Sequence, residues 1–311
     1  MLRTLCLTAC VTALLLLTPT EILAQVKKKK RQRLEPTAAN VAYGKHPRQV
    51  IDFWQTKSEK PTPLVLYIHG GGWRAGDKSS LNANTIKQYH AAGISVAAIN
   101  YRYIQQAVGL KIKPPVKAPL QDAARALQFI RSKSKEWNLD KKRIGATGGS
   151  AGGCSSLWLA LHDDMADPKS SDPIARESTR LYCAAVNGAQ TTLDPKPLLE
   201  WMPNYRYGAH AFGLRSIQQL RKNREKLLAW IQEYSPMPHV SKDDPPIAMF
   251  YRGAKPVKGD KPRDPTHSAI LGVMLEEKLK PAGVEVILVC PGRTGTKYRN
   301  AAQFLIDRLR K

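Results

Sequence analysis

The sequence predicts an α/β fold, a mostly parallel central sheet with helices on both faces and an insertion on one edge. Three observations carry that expectation. Short apolar runs alternate with amphipathic helical stretches from one end of the chain to the other. Two of the runs lead straight into glycine-rich turns, His69-Gly70-Gly71-Gly72-Trp73 and Gly148-Gly149-Ser150-Ala151-Gly152-Gly153. No linker long enough to separate two domains breaks the alternation in 311 residues, so one domain over 41–311 is expected.

The elements follow in order. Residues 50–54 read as an early strand, and 64–68, Leu-Val-Leu-Tyr-Ile, as the strand feeding the first glycine turn. A helix over 85–92 stops at Gly93, a buried strand follows at 94–99, and 120–135 has the apolar spacing of an amphipathic helix. The short run 144–147 is a strand that enters the second glycine turn, and 154–161 the helix that leaves it. Further strands are expected at 184–188, 247–251 and 284–289, with a helix near 268–279 and a closing one at 301–309. Between 194 and 245 the strand pattern lapses. That insertion carries Trp201, Tyr205, Tyr207, His210 and Phe212 before a helix-like stretch at 217–231. Its aromatic rings either stack on a substrate ring or pack the insertion onto the body beneath.

Residues 1–24 have the Arg3, apolar centre and small-residue end of a secretory signal peptide, too short to span a bilayer. A secreted or periplasmic location is therefore expected, with no integral membrane span. Of five cysteines, Cys6 and Cys10 fall in that segment; Cys154, Cys183 and Cys290 are an odd set and read as small buried hydrophobes. The net charge is +24, to which 1–24 adds nothing because Arg3 and Glu21 cancel. Its densest run, Lys27-Lys28-Lys29-Lys30-Arg31 with Arg33, belongs to a stretch 25–40 without core residues, expected to be a disordered basic arm. Such a surface attracts polyanions, but no interleaved aromatics or nucleic-acid module accompany it, so no nucleic-acid partner is expected. No His/Cys/Asp grouping has zinc-ligand spacing; neither metal nor cofactor is expected.

The two glycine turns need each other chemically. Glycines at the Gly-x-Ser-x-Gly turn let strand and helix approach closely and push the Ser150 hydroxyl outward. An ester carbonyl attacked by Ser150 becomes an oxyanion, which preorganised N–H groups of Gly71, Gly72 and Ala151 would stabilise, Ala151 at a helix start. In these motifs the chain resembles the α/β-hydrolases, and within them the secreted bacterial feruloyl- or acetylxylan-esterase-like hydrolases that share the His-Gly-Gly-Gly loop. The resemblance spans 41–311. It implies a 194–245 lid over the nucleophile and a chain order of serine, acid, histidine, with the acid after the penultimate strand and the histidine after the last.

The chain departs from that order twice. Lys255 or Pro256 occupies the usual early acid position, leaving Asp260 and Asp264, and the loop after 284–290 has no histidine; the last in the chain is His267. Three readings stay open. His267 serves Ser150, oriented by Asp264 or Asp260, or else is a solvated residue before the 268–279 helix. Alternatively the insertion's His210 swings over the serine with Asp194 as acid. In the third, the base is lost. His69, at a strand end, is expected to brace the glycine loop, and Asp163 and Asp164 to be surface charges. Trp73 lines an acyl pocket or packs the core; Trp201, Tyr205 and His210 are the other candidate substrate contacts. The expected function is a secreted serine carboxylester hydrolase; the resemblance implies acetyl or feruloyl esters of polysaccharide as its substrate class, with acylated or anionic glycans as partners. The alternative is a catalytically impaired, basic glycan-binding protein on the same scaffold.

Overall fold

The computed structural model of the chain describes residues 34–311; the expected signal segment 1–24 and the arm's lysine run lie outside the described residues. An eight-stranded sheet forms the centre: β1 (Ala38–Ala42), β2 (Val50–Trp54), β3 (Thr62–Ile68), β4 (Ser95–Ile99), β5 (Leu139–Gly149), β6 (Cys183–Asn187), β7 (Ile247–Phe250) and β8 (Val286–Val289). The order across it is β1-β2-β4-β3-β5-β6-β7-β8, and the six strands from β4 to β8 in that order run parallel. Only β1 and β2 pair antiparallel, β1 on β2 and β2 on β4, at one edge. The arm expected over 25–40 therefore ends early, since β1 starts at Ala38. Its alternation is weak and its residues are half-buried or exposed, so apolar periodicity gave no sign of it.

The parallel strands are largely apolar because both faces are covered; β5 is the exception, its first half carrying Asp140, Lys141, Lys142 and Arg143 ahead of the buried run 144–148, so the strand begins well before the expected 144–147. Helices Lys117–Ser132, Ala151–Leu161 and Ile270–Leu279 pack one face through Leu127, Leu157 and Leu275. Ala83–Ala91 and Ala301–Leu309 pack the other through Ile86, Tyr89 and Phe304. Cys154, Cys183 and Cys290 are free thiols in these layers. Within the insertion, the helix expected over 217–231 is two helices, Ile217–Lys222 and Arg224–Tyr234, broken at Asn223, whose φ of −100° and ψ of 7° leave the helical region. A further helix, Pro195–Trp201, starts at Asp194, whose carboxylate caps the Lys196 N–H. Among the described residues no helix is long and apolar enough to cross a membrane.

Register decides where the chemistry collects. Ile68 pairs with Gly148, Gly149 with Asn187, and Asn187 with Phe250, so the carboxyl ends of β3, β5, β6 and β7 finish level. The loops leaving them open along one sheet edge, where ligands bind in open α/β sheets.

Candidate active site

Ser150 lies between β5 and the helix Ala151–Leu161 with φ 53° and ψ −126°, a conformation that costs energy in any residue with a Cβ. It is held by its own N–H, which donates to the Asn187 carbonyl at 2.9 Å, and by the tight passage of the helix across β3. A Cβ on Gly152 would overlap the Ile68 and His69 carbonyls. Only glycine permits that crossing.

The His69–Trp73 turn leaves β3 beside the serine. Gly71 and Gly72 take φ of 99° and 63°, and the Gly71 carbonyl accepts the N–H groups of Arg74 and Ala75 at 3.0 and 3.1 Å. The amides of Gly71 and Gly72 meet no protein acceptor among the described residues, and Ala151 is at the first helical position, where the helix supplies none. His69 is buried under this turn, its ring stacked on Tyr101 at 4.2 Å. Its Nδ1–H donates to the Gly70 carbonyl at 2.8 Å while Nε2 faces the Arg48 guanidinium at 3.5 Å. Burial first, and Arg48 after it, push the His69 pKa from 6.5 down to about 4.

That depression makes a stability prediction. Between pH 6.5 and 4 the unfolded chain protonates His69 and the folded one does not. The stability held by the neutral ring is complete above 6.5 and is lost as pH falls through this window, by about 3 kcal/mol at full depression. Urea unfolding at pH 7 and pH 4 should show a steeper loss in wild type than in His69→Gln; equal losses would exclude His69 as the source.

His267 ends the short turn Pro265–His267 in the loop after β7. Its Nε2 lies 2.9 Å from the Ser150 Oγ, and its Nδ1 2.7 Å from an Asp264 carboxylate oxygen. A carboxylate only accepts, so Nδ1 carries the proton and Nε2 is left to accept the serine O–H. Two contacts fix the loop: Gln190 donates to the Thr266 carbonyl at 2.8 Å, and Gly188, at φ 53°, leaves room for the His267 ring. Both the acid and the histidine thus come from one loop, three residues apart.

The alternatives are not assembled. Asp260 is exposed, its carboxylate accepting the Lys261 N–H, with no hydrogen bond to His267. His210 donates from Nε2 to the Gly72 carbonyl at 3.0 Å, and burial lowers its pKa. It braces the glycine turn from the insertion. Asp194 accepts from Nε and Nη2 of Arg224, at 2.7 and 2.8 Å. Trp73 is fully covered and donates to the Ser155 hydroxyl at 3.0 Å. Trp201 and Tyr205 are 5% and 1% exposed, so of the two roles left open for these three rings, substrate contact or packing, each takes the packing role.

Beside His267 and Asp264 lies a cavity of about 920 Å³ bordered by Asn187, Arg252, Arg263 and Arg299. The three guanidinium groups make no ion pair or side-chain hydrogen bond among the described residues. Sequence reading missed them because Arg252 and Arg263 sit eleven residues apart on the loop after β7 and Arg299 comes from the loop after β8; Arg263, next to Asp264, carried the only local signal.

Fold and site together define an α/β-hydrolase with a serine at the nucleophile turn. A family model described as BD-FAE matches residues 51–257, more than half of the chain, and the protein belongs to that family. The match contains Ser150 and the glycine turn and ends before Asp264 and His267. Among curated relatives, "Probable carboxylic ester hydrolase LipM" of Mycobacterium tuberculosis is 26% identical over 227 residues, 68% of this chain and 46% of the relative. The carboxylesterase NlhH of the same species is 29% identical over 119 residues, 37% of this chain and 34% of its own. The chain thus spans half or less of the length of these relatives. Among solved structures, a truncated carbohydrate esterase from gut microbiota superposes with a TM-score of 0.68 at 20% identity, covering 90% of this chain and 99% of that one. An acetyl ester-xyloside bifunctional hydrolase from Caldicellulosiruptor lactoaceticus gives 0.60 at 24% identity, with 83% and 86% covered. At such identities the structural likeness concerns the fold.

Proposed function

We propose that this protein is a serine carboxylester hydrolase. The observation that carries the reading is the continuous hydrogen-bonded chain from Asp264 to His267 to Ser150, 2.7 and 2.9 Å. In the proposed cycle His267 Nε2 takes the Ser150 proton as Oγ bonds to the ester carbonyl carbon. Negative charge gathers on the carbonyl oxygen, facing the N–H groups of Gly71, Gly72 and Ala151. Collapse breaks the ester C–O bond, and His267 returns the proton to the leaving alkoxide. Water, deprotonated by the same nitrogen, then cleaves the acyl-serine to a carboxylic acid. Asp264 holds the ring in the tautomer these steps require. The esterase descriptions of the relatives support the reading.

An organophosphorus probe tests it, because phosphonylation needs both an activated serine and an oxyanion site. A structural neighbour, Thermogutta terrifontis esterase 2, is known phosphonylated by sarin. Wild type should become labelled at Ser150, found by peptide mass spectrometry, and Ser150→Ala should not. Equal slow labelling of both proteins would return the glycan-binding alternative.

For the substrate we infer an acetyl or feruloyl ester of a polysaccharide, met outside the cytoplasm. The carbohydrate-ester titles of two neighbours support the class, and the signal-like segment 1–24 supports the location. Arg252, Arg263 and Arg299 at the cavity, with the net charge of +24, favour an anionic glycan. Binding to such a glycan should weaken steeply with salt, since exposed charges are screened beyond about 8 Å at physiological ionic strength. Deleting 27–33 should remove a large part of it. Salt-independent binding would exclude the electrostatic role.

A further inference from the structure

We propose that His162, Glu233 and His239 bind one divalent transition-metal ion, with zinc the best match, which staples the insertion to the far end of the nucleophile helix. One ring nitrogen of each histidine and a Glu233 carboxylate oxygen lie within 4.8 Å of one another. His162 caps the C-terminus of helix Ala151–Leu161, Glu233 stands in the last turn of Arg224–Tyr234, and His239 ends the turn Met237–His239. Folding joins residues that the sequence separates by some seventy positions, which is why no ligand spacing marks them in the chain.

The hydrogen bonds around the cluster prepare lone pairs. His162 Nδ1 lies 2.9 Å from the Asp163 carbonyl, and His239 Nε2 lies 2.8 Å from the Glu233 carbonyl. A carbonyl only accepts, so each of these nitrogens carries a proton. In the neutral rings the lone pairs then belong to His162 Nε2 and His239 Nδ1. Metal-binding histidines are commonly fixed in this way, the other nitrogen donating to a backbone carbonyl. The Glu233 carbonyl is itself anchored, accepting Trp158 Nε1–H at 2.8 Å.

His162 Nε2 faces the Glu233 Oε1 at 3.3 Å. A neutral imidazole lone pair opposite a carboxylate oxygen is repulsive unless a proton or a cation comes between them. The second ring lies beside the first, centroids 4.4 Å apart, so both imidazoles and the carboxylate can face one ion. Two neutral imidazoles and one carboxylate are a nitrogen and oxygen set suited to zinc, with water in the fourth position. Ligand bonds of about 2.0 to 2.2 Å require the three groups to draw in by about 1 Å, which half-exposed Glu233 permits by rotamer change. The site is remote from hydrolysis. The helix between it and Ser150 is eleven residues long, about 17 Å at 1.5 Å per residue.

The test is metal titration of the untagged full chain after chelator stripping. Zinc is followed by competition with a chromophoric chelator, and cobalt by its visible absorption. Wild type should bind one equivalent with a dissociation constant of about 1 μM or tighter, and cobalt should show the intense bands of a four-coordinate ion. His162→Gln and His239→Gln should each weaken zinc binding by about 100-fold or more, since even outer partners of a metal site are worth 10- to 100-fold. Hydrolysis by the stripped variants should match stripped wild type. No stoichiometric zinc binding by wild type would overturn the proposal and leave a His–Glu ion pair; so would undiminished binding by the double variant. If the variants do not fold, as judged by far-ultraviolet circular dichroism, the wild-type cobalt spectrum decides, and a spectrum of six-coordinate cobalt overturns the site.

Discussion

His267→Ala should lower kcat on a small acetyl ester by about 10⁴-fold, while His210→Ala stays within about tenfold of wild type. The contrast follows from what each ring touches. His267 Nε2 is the acceptor 2.9 Å from the Ser150 Oγ; His210 spends its Nε2–H on the Gly72 carbonyl. Removing the first leaves a serine whose proton has nowhere to go, because no other side-chain base is hydrogen-bonded to it among the described residues. Removing the second loosens one strut of a glycine turn that is also held by its own Gly71 carbonyl contacts. Both variants must unfold near the wild-type urea midpoint for the comparison to count. If His267→Ala keeps near-normal turnover and His210→Ala loses it, the base is in the insertion and the proposed mechanism is wrong.

How legible each part was depends on whether local or distant forces set it. Strands β3, β4, β6, β7 and β8 and the buried half of β5 were readable because a parallel sheet covered on both faces needs apolar runs, whereas the charged first half of β5, 139–143, carries no such mark. Ser150 and the Gly71–Gly72 turn were readable for a local reason too: the close crossing at Gly152 and the positive φ at Gly71 admit only glycine, and so mark the sequence. The acid and the histidine left no comparable mark. Their loop has no periodicity, and its position is set by Gln190 and Gly188, which lie on a different loop some eighty residues earlier. Reading Asp264 and Asp260 as equal candidates was as far as proximity in sequence could go; the turn Pro265–His267 folds the first back under the ring and leaves the second in solvent. The aromatic residues of the insertion show a different limit, two roles that sequence leaves open. A Trp or Tyr supplies the same signal whether it faces a sugar or a protein core, and here Trp201 and Tyr205 face the core.

Asp264→Asn should reduce kcat by about 10³- to 10⁴-fold with KM little changed, whereas Asp260→Asn should be neutral. The amide is nearly isosteric with the carboxylate, so the loop geometry survives and only the proton inventory changes. The carboxylate accepts the Nδ1–H at 2.7 Å, which leaves Nε2 free for the serine. An asparagine can instead turn its NH₂ toward the ring, stabilising the tautomer that has its lone pair on Nδ1 and its proton on Nε2. That tautomer donates to Ser150 and cannot take its proton. The same substitution removes the negative charge that stabilises the imidazolium formed during attack, so the loss appears in the chemical step and not in ester binding. Asp194→Asn is the matching control in the insertion. It weakens the paired contacts with Arg224 while keeping a side-chain oxygen for the helix cap, so it should cost stability and leave kcat nearly intact. Near-wild-type turnover in Asp264→Asn, or a collapse in Asp260→Asn, would mean that the 2.7 Å contact does not orient the working base.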